Sequence, residues 1–444
     1  MIELIRLARP IVVARSGIIM LTMVDMIMVG HFDPTELAYQ AIGLSLFMPM
    51  VVIGMGLLTG TLVLCANCYG AGNLAGCGEA WRRSLPYAFG LGTIGLAVTL
   101  PGEWLLTAAG QSPDLAAYGG EVMWINGLSL PAFLVFMTTA FFLEGIKRPR
   151  PWMVTITLAN VLNLVLNWIL IYGNFGAPEM GAAGAAWATT AARWFVVVAL
   201  VAYVWRMRDG ADFAVRRSPD LRLHTWRAQR QIGYAASVSV GVESCAFATL
   251  SLFAGWLGAL PLAAFSVCFN LITMVFMISL GIGAATAVTV GVAYGGRQVR
   301  RIGRAGWNGV AANSVAMIVI GALFVVTPGL IARIFTNDAA LISIAGPMIA
   351  FLAFVLIVDG GQAVLANALR GRRDVWVPCG LQILAYVAIM VPAAYFFTFT
   401  LNNGAVGLLE GVLLASTVSI LLQGWRFEWL ARRDRSEPIA AQQI

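Results

Sequence analysis

Three carboxylic acids stand inside apolar runs: Asp25 in LTMVDMIMVG, Glu243 in SVGVESCAF and Asp359 in FVLIVDGGQAV. An ionisable side chain at the centre of a bilayer costs about 2.5–3.5 kcal/mol even on insertion scales, so an acid kept there is a functional candidate by default. Its chemistry is reversible neutralisation by a proton, a metal cation or a cationic ligand. The competing reading is a structural carboxylate, paired with an internal arginine or closing a broken helix. Asn163 and Asn167, in NVLNLVLNW, lie four residues apart and share one helix face, with Asn160 close to the same stripe. Amides so aligned suit Na⁺ beside one carboxylate, or hydrogen bonds to a protonated Asp. They equally suit helix-to-helix hydrogen bonding. Arg193 lies deep in an apolar run and is a candidate charge partner for Asp25 or another internal acid. Arg15, a turn or two from the start of its run, is expected to snorkel to the surface.

What must position these residues is a set of membrane helices. Of 444 residues, 60% are hydrophobic and only 11% charged, against roughly a quarter charged in soluble domains. Mean hydropathy is +0.83. Twelve apolar stretches are expected to cross, at about 10–30, 41–68, 84–108, 117–143, 152–173, 182–205, 231–256, 262–294, 305–332, 342–368, 378–400 and 404–427. Each is near or above the 20 or so residues that a bilayer core takes. Lipid cannot satisfy open backbone groups, so the crossings are helices and the fold class is all-α. The first run is too long for a secretory core and lacks a small-residue cleavage site, so it is expected to stay as the first span.

Lys and Arg set the orientation. All but three of the 28 (Arg15, Arg193 and Arg333) fall on one side, in the loops after spans two, four, six, eight and ten and at the termini. Both ends are therefore expected in the cytoplasm, and the net charge of +7 reflects topology rather than nucleic-acid binding. The basic segment 206–230 divides the chain into an N-terminal lobe (1–205) and a C-terminal lobe (231–430), with a cytoplasmic tail at 431–444. The halves echo each other. GHFDPTELA at Gly30–Ala38 answers GWLGALPLA at Gly255–Ala263, and Tyr69-Gly70 answers Tyr294-Gly295 at the same offset of 225. Leu143-Glu144-Gly145 answers Leu369-Arg370-Gly371, and the Gly181–Gly184 turn answers Gly404–Gly407. An even number of spans per half makes the repeats parallel, a plan that lets two six-helix lobes rock about a central cavity.

Several classes are excluded. Two histidines, His31 and His224, leave little for a metal site or a His relay. Cys65 and Cys68 have a Cys-x-x-Cys spacing without a second pair, and small packing residues are the better reading. No Walker A, nucleophile elbow or His-Glu-x-x-His pattern is present, so an enzyme is not expected and energy must come from an ion gradient rather than ATP bound by this chain. Methionines such as Met23, Met26, Met28, Met274 and Met277 suit an adaptable wall for flat apolar cations, though ordinary packing explains each one.

VDMIMVGHFDPTELAYQAIG, NWILIYGNFGAPEMGAAGAAWATT and VDGGQAVLANALRGRRDVWVP resemble the span-one, span-five-to-six and span-ten signatures of multidrug and toxic compound extrusion (MATE) transporters. The likeness runs along essentially the whole chain. Glu243 in span seven resembles the bacterial multidrug branch. The resemblance implies a bacterial inner-membrane antiporter that exports amphiphilic or cationic small molecules in exchange for H⁺ or Na⁺, without a cofactor. It places a coupling-ion site at Asp25, Asn163 and Asn167, with Thr189 beside it and Na⁺ as one occupant, and further carboxylates at Glu243 and Asp359. Arg193 is unusual and favours H⁺ by pairing with Asp25. Val355 stands where some relatives carry a cation-site tyrosine, which weakens the case for Na⁺ in the C-terminal lobe. Lobes complete within one chain imply a working monomer. The alternative is a flippase for lipid-linked sugars or other amphiphiles of the same superfamily, whose members usually carry more cavity arginines or extra spans.

Overall fold

A computed structural model describes residues 1–436 apart from Leu221, Leu223 and Asn337. Among the described residues it consists of helices and connecting turns. Eleven helices are long and apolar enough to cross a membrane, or twelve if one bent pair counts as a span. In chain order they are α1 (Ile2–Phe32), α2 (Pro34–Gly70), the bent pair α3 (Leu74–Thr99 with Gly102–Ala108), α4 (Pro113–Gly145), α5 (Arg150–Leu170), α6 (Gly181–Trp205), α7 (Arg227–Trp256), α8 (Ala259–Gly295), α9 (Val299–Val326), α10 (Ala339–Gly371), α11 (Trp376–Thr400) and α12 (Ala405–Ser436). All twelve expected crossings are present. Residues 431–436 of the expected tail continue α12, and the rest of that tail lies outside the described residues.

The surface pattern is that of a chain solvated by lipid. On α5 the exposed positions are apolar, with Leu158 at 54% and Val161 at 58%, whereas Asn163 and Asn167 are fully buried. Proline marks the departures from straight spans. Pro101 follows the break in α3, where the two pieces meet at 56°. Pro328 starts a separate short helix, Pro328–Phe335, so α9 ends earlier than the expected 332. Proline has no N–H for the helical ladder, and its ring crowds the preceding turn. Asp33 and Asp338 start helices by accepting from the amides of Thr35 (2.6 Å) and Ala340 (2.8 Å), the usual work of an N-cap aspartate.

The chain divides into two compact units, Val13–Ser237 and Met1–Val12 with the residues from Val238 on. In the first, the basic segment after α6 is folded against its own unit. Phe213 and Val215 are buried, Arg82 donates to the Ala214 carbonyl, and Arg148 holds Asp209 through two bonds of 3.0 and 2.6 Å. That guanidinium keeps the Asp209 carboxyl below the usual carboxylate range, so the tie is present at neutral pH and is lost as pH falls through the lowered value. Cys65 and Cys77 are buried thiols that donate to each other's carbonyls at 3.5 and 3.3 Å, in keeping with a packing role. In the second unit, Leu250, Phe265, Cys268, Ile349, Leu352 and Met390 form the centre of the largest apolar cluster.

Gly78 is the tightest approach between α3 and the basic segment, because a Cβ there would overlap the Phe213 carbonyl oxygen. Backbone cannot rotate aside as a side chain can. Gly78→Ala is expected to lower stability by about 1–3 kcal/mol, the usual range for overpacking. Melting of the detergent-solubilised protein, followed by size-exclusion fluorescence, would read this as a lower midpoint. An unchanged midpoint would mean that the segment is not held at this contact.

One internal arginine corrects the expectation. Arg15 does not reach the surface. It is 7% exposed and pairs with the fully buried Glu144 of α4 at 3.4 Å. An acid available within reach of the guanidinium removes the reason to extend towards water.

Candidate functional site

In the unit Val13–Ser237 the polar residues of α1, α5 and α6 meet around one carboxylate. Asp25 is 5% exposed. Its Oδ1 accepts from Asn167 Nδ2 at 2.7 Å and Asn163 Nδ2 at 3.0 Å, and Thr189 Oγ1 donates to Oδ2. Asn163 also reaches the Thr189 hydroxyl at 2.9 Å. Helical spacing explains the group: Asn163 and Asn167 lie one turn apart on the buried face of α5, and Thr189 faces them from α6. Asn160 does not join. It donates to the Gly17 carbonyl at 3.0 Å and to Ile156 at 2.8 Å, fastening α5 to α1.

The donor set bears on Na⁺. Both amides turn their nitrogens to Asp25. Asn163 Oδ1 is taken by Asn167 at 3.2 Å, and Asn167 Oδ1 is buried without a partner among the described residues. N–H groups aimed at an anion stabilise a charged carboxylate. A sodium shell needs converging oxygens, which this orientation of the amides does not supply.

Arg193 is 4% exposed and lies one turn beyond Thr189 on α6. Its Nη1 donates to Ser129 Oγ at 2.6 Å, and its guanidinium stands 4.7 Å from the Phe47 ring centroid and 5.6 Å from that of Phe133. Among the described residues it makes no ion pair with Asp25 within 4 Å. The direct pairing expected of it is therefore absent, because a hydroxyl and two rings hold the guanidinium instead.

In the other unit, Glu243 of α7 and Asp359 of α10 converge on Tyr386 of α11. The phenol donates towards Glu243 Oε1 at 3.2 Å and Asp359 Oδ1 at 3.4 Å, and it accepts from Gln362 Nε2 at 2.9 Å. Ser416 of α12 donates to Asp359 at 2.9 Å. A phenol has one proton to give and two lone pairs. With Gln362 on one lone pair, the phenol cannot donate to two ionised acids at once, so one of the acids must bring its own proton. This geometry is complete with one proton shared by the pair. Tyr386 lies in a wide-wound π-helical stretch of α11, Leu384–Met390, a distortion often found at functional sites. Beyond it, Gln362 Oε1 is met by Ser419 and Gln423, both at 3.3 Å.

The sequence pattern missed Tyr386, Ser416, Ser419, Gln382 and Gln423. Gln362 carried a signal, since it follows Asp359 in VDGGQAV. Val355 is a fully buried core residue, and the tyrosine that reaches Asp359 comes from α11.

The MatE family model matches this chain twice, at residues 10–169 and 235–396. The chain belongs to the MATE family. Members are membrane transporters, not enzymes. The chain is 36% identical over 436 residues to the probable multidrug resistance protein NorM of Caulobacter vibrioides, covering 98% of this chain and 93% of that one. It is 30% identical over 441 residues to the multidrug resistance protein PmpM of Pseudomonas aeruginosa, covering 97% and 92%. The outward-facing conformation of a multidrug resistance MATE family transporter has the same fold, with a TM-score of 0.88 at 20% identity over 98% of this chain and 96% of that one. The two matched segments of this MATE protein begin 225 residues apart, the offset of its sequence echoes. Asp25, Asn163 and Asn167 fall in the first segment, and Glu243, Asp359 and Tyr386 in the second.

Proposed function

We propose that this MATE protein is a proton-coupled efflux antiporter for amphiphilic organic cations in the bacterial inner membrane, with both termini in the cytoplasm. Relatives named as multidrug resistance proteins support the export reading. The observation that carries the choice of ion is the enclosed Asp25, surrounded by neutral N–H and O–H donors that suit a carboxylate waiting for a proton. Proton and substrate compete for the same negative charge. Substrate entering from the cytoplasm meets an ionised acid. A proton arriving from outside removes that charge and with it the attraction, so the substrate leaves outward. The pair Glu243 and Asp359, joined through Tyr386, gives the second unit a carboxylate that changes charge in the same way. The working lobes are residues 1–205 and 231–430, joined by 206–230.

Sodium is the second reading, because a half-turn of both amides about their terminal bonds would bring oxygens to Asp25. The purified full chain in proteoliposomes, loaded with ethidium, separates the two. Dye movement is expected with an imposed pH gradient in sodium-free buffer. Movement driven only by a sodium gradient would replace the proton reading, and movement with neither would remove antiport.

A further inference from the structure

Arg193 is a charge that the proton cycle does not use, and its surroundings are built. Side chains on a helix lean towards its N-terminus, so the guanidinium leans back towards the level of Thr189 and Asp25. It is stopped short. Ser129, whose own proton goes to the Asn126 carbonyl at 2.6 Å, accepts from Nη1, while Phe47 and Phe133 flank the guanidinium. Nε and Nη2 have no protein partner among the described residues. Nor are they sealed away, unlike the unpartnered Nε atoms of Arg15, Arg82 and Arg83. Nε and Nη2 form the side-on edge of the guanidinium, the fork that takes a carboxylate through two parallel hydrogen bonds. An acidic pole at Asp25 and a basic pole at Arg193 are thus held apart on one helix face, about one turn or ~5.4 Å along α6.

We propose that Arg193 is an anion-recognition site that takes the carboxylate of a zwitterionic aromatic amphiphile whose cationic end answers to Asp25. The inference rests on the export reading and narrows its substrate class, from plain cations to molecules carrying both charges. The aromatic part follows from Phe47 and Phe133, which offer ring faces and edges beside the fork. A guanidinium without a nearby acid is poorly tolerated in an apolar interior, and a bound carboxylate supplies the missing partner.

A matched pair of dyes tests it: rhodamine B, which carries a free carboxylate, and its methyl ester, a plain cation with the same rings. Binding is read by fluorescence polarisation on the full chain in nanodiscs, with empty nanodiscs subtracted, and transport in proteoliposomes. Wild-type protein is expected to prefer the acid. Arg193→Gln is expected to lower the acid-to-ester ratio about tenfold, a shift of about 1.4 kcal/mol, and Arg193→Lys to fall between, since it keeps the charge without the fork. A ratio that Arg193→Gln leaves at the wild-type value overturns the proposal, as does a variant that weakens both dyes equally, which marks a structural arginine. Should Arg193→Gln fail to insert, the wild-type ratio decides, and ester bound as tightly as acid overturns it. Transport of neither dye by wild type sinks the export reading instead, while the binding ratio still judges this site.

Discussion

Replacing Asp25 with Asn is expected to abolish uphill dye export while leaving the protein inserted and folded. The amide keeps the shape and still offers an oxygen to the donors around it, Asn163, Asn167 and Thr189. It cannot gain or lose a proton near neutral pH, so the step that converts the gradient into substrate release is gone. Export in a pump-deleted host should fall to background, about 100-fold or more, equivalent to about 2.7 kcal/mol of lost drive. Downhill equilibration of dye can persist, because substrate release no longer waits for a proton. Asp359→Asn is expected to act similarly on the pair that meets at Tyr386. Tyr386→Phe should be milder, about tenfold, since it removes the shared hydrogen bond and leaves both acids in place. Wild-type export rates in well-inserted Asp25→Asn and Asp359→Asn proteins would falsify the proton-coupling account.

The parts of this site that were legible in the sequence share one property: their signal is local. A lone acid in an apolar run and two amides at a spacing of four are visible without knowing which helix packs on which. The spans were legible for the same reason, since a bilayer imposes length and composition on each helix separately. What stayed hidden depends on pairing between distant elements. Tyr386 reads as one more aromatic in an apolar span, and Ser416 as a small residue of the kind that packs helices. Only the meeting of α7, α10, α11 and α12 makes them partners of Glu243 and Asp359. Arg193 was legible as an internal charge but not as a separated pole. Its distance from Asp25 is set by Ser129 and by two rings from α2 and α4, which no spacing along α6 reveals.

Arg15 and Glu144 show the same limit in energetic form and carry the largest expected effect on stability. Position alone sent Arg15 to the nearby surface, yet its partner lies 129 residues away. Side-chain exposures of 8% and 1% make this a pair with little solvent to replace a lost member. Arg15→Met is expected to destabilise the protein by about 3–5 kcal/mol, because it leaves Glu144 ionised without a counter-charge, or forces it to take up a proton to stay buried. Replacing the pair together, Arg15→Met with Glu144→Leu, should recover most of that loss, since well-packed apolar groups of similar volume commonly match or exceed a buried ion pair. A double-mutant cycle on melting midpoints in detergent measures the coupling. A double variant as unstable as the two single changes added together would show that the two side chains act independently, and that the contact at 3.4 Å does not hold α1 to α4.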